Sequence, residues 1–430
     1  MNCVVFIGSQ RAGSSFDALC EAKSMGYYVV LMTNIPSHMA AKNFFECVDE
    51  MLLCQTSNIS HVRYEIDVLA EKGLKVCAVI SFTEEGCLVA SIMAKERGLV
   101  HFTVEAIRVM RDKLETRKTI GHTAYSPFFY GMDGRNEPSK QEIESKLPLI
   151  IKNPLSSGSK SVIMVNSYED YKTELESHPP TEPLLIEEYL DGPQFLVETV
   201  VTKSINGSHV NIVVVIKQEI SYTYRFIVTG YQVVLNRKSE MIESLTKAVR
   251  DIVKLIGLES GPCHLEMRFA CGQWKLIEAN PRISGGAMNR IIEAAYGISL
   301  VRETLKIALG QEPDLVSKYE RETFAQYVIA SREGILLRTT GKNKALDCEG
   351  VKHVYIKPKK GHLLVPPLSM GHRYAYVIAN GDTAEGAMAN AKYAAAQIRF
   401  FLKEIDADIL KGLTATQRET LEKLYCASFA

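Results

Sequence analysis

Between Met1 and Val109 the chain alternates short apolar runs with helical stretches, and this alternation limits the possible folds more than any other feature. Strands are expected at Val4 to Ile7, at Tyr28 to Met32, near Met51-Leu52-Leu53 and at Cys77 to Phe82. Helices are expected from about Phe16 to Met25 and from Gly86 to Arg97. Apolar strands joined through helices build a parallel sheet with helices on both faces. The first turn, Gly8-Ser9-Gln10-Arg11-Ala12-Gly13-Ser14-Ser15, has the glycine spacing of a phosphate-binding loop, yet Ser14 stands where the lysine belongs. A G-x-G-x-x-G run is also missing, so the nucleotide is not placed there. A tight strand-to-helix connection is the plainer reading, with substrate binding at the strand ends left open.

From Val109 the texture changes. A charged helix, Arg111-Asp112-Lys113-Leu114-Glu115-Thr116-Arg117-Lys118, leads into a polar loop from Gly131 to Lys140 and then into strands of antiparallel character. Pro148 to Pro154 and Ser161 to Asn166 flank a Ser/Gly loop, Leu184 to Tyr189 and Phe195 to Thr202 flank Asp191-Gly192, and Val210 to Ile216 follows. Hairpins with a few helices make an α+β unit. Beyond Pro313, strands are expected near Phe324 to Ala330 and Ala375 to Ala379, then an Ala-rich helix from Thr383 to Glu404. The fold class is thus α/β and α+β in three parts: a Rossmann-like N-terminal domain over 1–109, a central domain over 110–314 and a C-terminal segment over 315–430.

The 50 Lys and Arg residues balance the 50 Asp and Glu, and no local basic stripe stands out, so a nucleic-acid partner is not expected. Apolar runs such as Val210 to Ile216 fall far short of the ~18 residues a membrane span requires, so no membrane partner is expected either. The N-terminus lacks a basic segment and a small-residue cleavage site and reads as a first strand, which points to the cytoplasm. The 10 cysteines are scattered singly, without a C-x-x-C pair or zinc spacing. Runs such as Val76-Cys77-Ala78 make them small buried hydrophobes, and neither a disulfide nor zinc is expected.

The most informative stretch is His264-Leu265-Glu266-Met267-Arg268-Phe269, a turn at Ala270-Cys271-Gly272-Gln273, and Trp274-Lys275-Leu276-Ile277-Glu278-Ala279-Asn280-Pro281-Arg282. Two alternating segments around a glycine form a β-hairpin. Its period of two puts His264, Glu266 and Arg268 on one face and Cys263, Leu265, Met267 and Phe269 on the other. With a three-residue loop, Cys271 to Gln273, Glu266 lies opposite Glu278 and His264 opposite Asn280; a two-residue loop sends the carboxylates to opposite faces. Facing carboxylates repel unless something positive lies between them. Two carboxylates and an amide oxygen are hard ligands that suit magnesium and leave room for water and phosphate oxygens. A solvated hairpin face is the bland alternative.

Three further features are individually ordinary. Lys152 ends an apolar strand before the turn Leu155-Ser156-Ser157-Gly158-Ser159-Lys160-Ser161, where a cation and backbone N–H groups can surround phosphates, or a lysine can simply snorkel. Leu184-Leu185-Ile186-Glu187-Glu188-Tyr189-Leu190-Asp191-Gly192 runs an apolar strand into two acids, as an adenine-binding linker does, or an edge strand ending in water. Lys113 lies among alternating charges that usually mark a solvated helix face, and Arg282 precedes the loop Ile283-Ser284-Gly285-Gly286, which could approach a ligand closely.

In order and spacing these elements resemble an ATP-grasp ligase over roughly residues 110 to 315. The likeness rests on Asp112-Lys113, Ile151-Lys152-x-Pro154 with its Ser/Gly flap, Glu187 to Gly192, His264-x-Glu266 and Glu278-Ala279-Asn280-Pro281-Arg282. The N-terminal domain and the helix start at Gly381-Asp382-Thr383-Ala384-Glu385 resemble the dipeptide-forming amino-acid ligase branch, which implies a C-terminal lid that completes the sheet. The resemblance implies that Lys113 and Lys152 hold ATP phosphates under a flap with Ser157, Gly158 and Ser159, and that Glu187, Glu188, Tyr189 and Leu190 hold adenine. It implies magnesium, with manganese as the alternative ion, on Glu266, Glu278 and Asn280, and a catalytic Arg282 beside a substrate loop of Ser284, Gly285 and Gly286. The implied activity is carboxylate–amine ligation through an acyl phosphate, on small-molecule substrates that include amino acids, in a homodimer. No protein nucleophile is required; His264 is a candidate base for the amine or a structural group.

The sequence also departs from the pattern. Gly192-Pro193-Gln194 offers an amide where relatives often carry an acid, leaving the ribose to Gln194 or Glu198, and Ser161 stands where the flap usually has glycine. Phe226-Ile227-Val228-Thr229-Gly230-Tyr231 lacks the acid and histidine of the branch's Glu-Thr-Gly-His, which leaves the substrates unnamed. Another ATP-grasp activity, such as a purine-pathway ligase or a biotin-carboxylase-like enzyme, and an inactive nucleotide-binding regulatory protein are the alternatives.

Overall fold

The N-terminal alternation becomes a four-stranded parallel sheet of Asn2–Ile7, Tyr28–Thr33, Glu50–Leu53 and Lys75–Ile80, with Asn2–Ile7 between Tyr28–Thr33 and Lys75–Ile80 and with Glu50–Leu53 at one edge. Helices Ser14–Ser24, Ile59–Glu71 and Glu84–Glu96 make the crossovers. Residues 3–7 are buried throughout, as a central strand covered on both faces requires. Val5, Ile7, Val30, Met32, Val62, Ile66 and Met93 form the core beneath one set of helices.

One expectation fails here. Cys20 and Cys47 form a disulfide, with their Cα atoms 4.8 Å apart. Cys20 lies on the helix Ser14–Ser24 and Cys47 just before the edge strand Glu50–Leu53. The pairing is set by the tertiary path of the chain across 27 residues, which a search for local cysteine spacing does not register.

In this computed structural model, which describes all residues except 133–136, 157–161, 180, 206, 222–225 and 428–430, the chain divides into two compact units. The first comprises residues 1–129, 190–215 and 236–320. Beside the parallel sheet it holds an antiparallel set in which Gly261–Ala270 lies between Gln194–Ser204 and Gln273–Asn280. Helix Glu240–Ile256 buries Ile242, Leu245, Val249, Ile252, Val253 and Ile256 at helical spacing and stops at Gly257 in the left-handed conformation. The expected boundary at Val109 falls inside this unit.

The second unit comprises residues 130–189, 216–235 and 321–430. Leu149–Lys152 lies antiparallel between Ile163–Val165 and Leu184–Glu188, over a core of Ile143, Leu149, Ile151, Val165, Tyr171 and Ile186. A second sheet runs Ile227–Val233, Glu322–Val328, Ala375–Gly381, Val351–Ile356, so the C-terminal segment does complete a sheet. Helix Ala384–Ala395 packs Ala387, Ala391 and Ala394 against it. The expected helix to Glu404 ends early: Arg399–Lys403 is a strand paired with Gly334–Thr340, its exposure alternating from residue to residue. Period-two burial and an available partner strand override the alanine-rich helical signal.

Candidate active site

Strand Gly261–Ala270 turns into Gln273–Asn280 through Cys271 and Gly272, whose φ angles of 49° and 76° suit a two-residue hairpin. The three-residue loop is therefore not what the chain makes. Glu266 nevertheless faces Glu278, and His264 faces Asn280, because the register shifts between Glu266 and Met267 and leaves Ile277 as a bulge. Arg117, buried on helix Lys113–Ile120, donates to the Ile277 carbonyl at 2.7 Å, and the Leu276 N–H donates to the Tyr125 carbonyl at 2.8 Å. The neighbouring helix and the turn after it thus hold the bulge that brings the carboxylates face to face.

Lys113 precedes Arg117 by one helical turn, so both side chains serve the same side. It is 8% exposed and its Nζ lies 3.3 Å from Glu278 Oε1, which replaces the solvated face by an ion pair against the hairpin. Asp112 caps the helix through the N–H groups of Leu114 and Glu115. On the other side Gln194 donates to Glu266 Oε2 at 3.0 Å and accepts from Arg268 Nη2 at 2.5 Å, while Arg268 Nη1 reaches the Leu190 carbonyl at 2.6 Å. An acid at position 194 would set a further carboxylate against Glu266; the amide donates to one neighbour and accepts from the other. Glu266, Glu278 and Asn280 place three hard oxygen donors on successive rungs of one face, a set that fits magnesium. Among the described residues no group of three His, Cys, Asp or Glu side chains is gathered for a metal.

Arg282 follows two residues after Asn280. Its Nη2 meets Glu84 Oε2 at 3.2 Å, its Nη1 meets the Ile283 carbonyl at 3.2 Å, and its own carbonyl accepts from His264 Nδ1 at 3.0 Å. Burial, reinforced by the Arg282 guanidinium, pushes His264 down to about 3. A neutral imidazole that donates to Arg282 is poorly suited to take a proton from an amine, so the geometry favours the structural role.

Glu198 is wholly buried and accepts the Ser284 N–H at 3.0 Å, so it does not present a carboxylate to a ribose as the sequence allowed. Burial pushes it up to about 7, against the pull of the Ser284 bond and Arg282. A raised carboxylate means the folded chain keeps a proton that the unfolded chain releases, so this contribution is present below the ordinary value of 4.5 and lost as pH rises through 7. Glu198→Gln is expected to remove that loss. The difference in denaturation midpoint between variant and wild type, measured at pH 5 and pH 8, should widen in favour of the variant at the higher pH; a constant difference would contradict it.

In the second unit, Lys152 and Glu187 stand on neighbouring antiparallel strands, both buried, with Nζ against Oε2. The Tyr189 N–H donates to the Pro148 carbonyl at 3.1 Å, and Glu188 is half-buried beside it. The chain leaves the second unit for the first between Tyr189 and Leu190, inside the segment expected to hold adenine. Ser157, Gly158, Ser159 and Ser161 lie outside the described residues. Removing one member of a buried ion pair forfeits its attraction, so Lys152→Met is expected to lower unfolding stability by about 3 kcal/mol. Lys152→Met combined with Glu187→Leu should regain most of it, as denaturant titration would show.

The sequence reading put Arg268 on the polar hairpin face without giving it a role, and it missed Glu84 and Arg117. Only Glu84 left a local signal, two adjacent acids where a parallel strand gives way to its helix, the end of such sheets at which ligands bind.

Two families match the chain: the ATP-grasp domain over residues 145–290 and the L-amino acid ligase C-terminal domain 2 over residues 326–403. An uncharacterized protein y4rH of Sinorhizobium fredii is 26% identical over 246 residues, 55% of this chain and 49% of that protein, so the match spans about half of that relative. The L-arginine-specific L-amino acid ligase of Bacillus subtilis is 21% identical over 298 residues, 66% of this chain and 70% of that one. The crystal structure of an L-amino acid ligase from Bacillus licheniformis superposes with a TM-score of 0.78 at 17% identity, covering 94% of this chain and 99% of that chain, a likeness of fold. No helix among the described residues is long and apolar enough to cross a membrane. With both family matches in order and the fold shared along most of its length, the chain carries an ATP-grasp domain followed by an L-amino acid ligase C-terminal domain 2 and has the fold of an L-amino acid ligase.

Proposed function

We propose that the protein is an ATP- and magnesium-dependent ligase that activates an amino acid's carboxylate as an acyl phosphate and joins it to an amine, releasing ADP and phosphate. The observation that carries this reading is the pair of rungs Glu266–Glu278 and His264–Asn280 leading directly to Arg282. Magnesium bound by Glu266, Glu278 and Asn280 supplies positive charge to phosphate oxygens. Lys113 and Lys152 bind ATP phosphates, and the segment Glu187 to Leu190 holds adenine. The substrate carboxylate attacks the γ-phosphate in line, and Arg282 offsets the charge spread over its oxygens. An amine then attacks the acyl carbon; Arg282 stabilises the oxyanion, and phosphate departs with the carboxylate's oxygen. His264 orients Arg282 through its carbonyl.

Small-molecule substrates, a homodimer and a cytoplasmic location complete the proposal. In that compartment the glutathione and thioredoxin systems would keep Cys20 and Cys47 reduced. Amino-acid pairs screened for magnesium-dependent phosphate release, with mass analysis of products, test the reaction. An amide product supports it; release only with bicarbonate or a nucleotide intermediate contradicts it.

A further inference from the structure

The loop that follows Arg282 is gripped from several directions. The Ser284 N–H donates to Glu198 Oε1 at 3.0 Å, and the Ser284 carbonyl accepts from Ser14 Oγ at 2.8 Å. One side of this peptide is bounded by His264 on the Arg282 carbonyl. The other is bounded by Gly13, where a Cβ would come within 2.9 Å of the Gly286 nitrogen. Gly13 has a φ of 78°, so both its conformation and this close approach call for glycine. A serine from the first helix and a glutamate from an antiparallel strand therefore hold the two successive peptides that flank Ser284.

Glu198 is the unusual member. It stands opposite His264 in the ladder, is 0% exposed, and among the described residues its Oε2 has no hydrogen-bond partner. A buried carboxylate with one empty oxygen is a poor choice for a strand interior unless its remaining bond matters. That bond goes to the loop carrying Arg282. A nucleotide ligand, by contrast, needs a face open to the nucleotide, and Glu198 has none.

We propose that Glu198 is a positioning residue for phosphoryl and acyl transfer, acting through Ser284 to hold the Arg282 loop, and that it does not bind the nucleotide. The role rests on the reading of Arg282 given above. Small displacements of a group that meets the reacting atoms reduce turnover steeply while binding elsewhere persists.

Glu198→Leu, Glu198→Gln and Ser14→Ala in the full chain test it through three readouts: magnesium–ADP affinity by calorimetry, turnover with the best amino-acid pair, and hydrogen exchange of peptides covering 282–287. Glu198→Leu is expected to keep ADP affinity within about twofold, to lose roughly tenfold or more in kcat, and to exchange faster over 282–287. Glu198→Gln, which still offers an acceptor to the Ser284 N–H, should recover most of both losses. Ser14→Ala, acting on the Ser284 carbonyl, should move exchange and kcat in the same direction even if Glu198→Leu fails to fold. A fall of about tenfold in ADP affinity with unchanged exchange would make Glu198 a nucleotide ligand and overturn the proposal, as would unchanged kcat and exchange in Glu198→Leu. Wild type that forms no amide with any pair removes the ligase reading alone; the exchange and ADP readouts still decide the part played by Glu198.

Discussion

Glu278→Ala is expected to reduce turnover by roughly 10²-fold or more while the chain stays folded. Glu278 is one of two carboxylates brought face to face by the bulge at Ile277, and it is the partner of Lys113. Its loss would take away a proposed metal donor and the carboxylate that lies 3.3 Å from the Lys113 ammonium. Relief of the like-charge repulsion across the ladder and loss of the Lys113 ion pair act on stability in opposite directions, so the fold tolerates the change. Phosphate release as a function of magnesium, together with thermal melting without ligand, separates the two effects: activity should fall at all magnesium concentrations while the chain still melts in a cooperative transition. Unchanged activity would remove Glu278 from the metal set.

Arg282→Lys is expected to cost a similar factor, about 10²-fold in kcat, with ATP affinity little changed. A lysine keeps the charge but cannot span both Glu84 and the Ile283 carbonyl, which the guanidinium meets at 3.2 Å each. The ammonium would collapse onto Glu84 or swing away, and the planar donor fork would be lost. Steady-state kinetics distinguishes this from a binding defect: kcat should fall with KM for ATP near the wild-type value. A rise in KM at constant kcat would make Arg282 a ground-state ligand instead.

Local pattern carried much of this site and tertiary packing carried the rest. The alternation around Cys271-Gly272 made the hairpin and the polar face of His264, Glu266 and Arg268 legible. The rung that pairs Glu266 with Glu278 came out as expected, but through a two-residue turn and a bulge. That bulge depends on Arg117, which lies far away in sequence and whose helix looked like a solvated run of charges. Gln194 could be read as a missing acid, yet its link between Arg268 and Glu266 exists only once three strands are assembled. The same limit hid Glu84 and Glu198, whose partners Arg282 and Ser284 lie nearly two hundred and nearly ninety residues away. The disulfide and the final strand failed for a related reason: each needs a partner that no local window contains.

The central claim is that the terminal phosphoryl of ATP passes to a substrate carboxylate before the amide forms. Supplying the acyl-donor amino acid with 18O in its carboxylate and measuring the mass of the released phosphate tests this directly. An acyl phosphate leaves one labelled oxygen in the phosphate, because the bond that breaks on amine attack joins the carbonyl carbon to the bridging oxygen. Phosphate that carries no label while amide product forms would contradict the account.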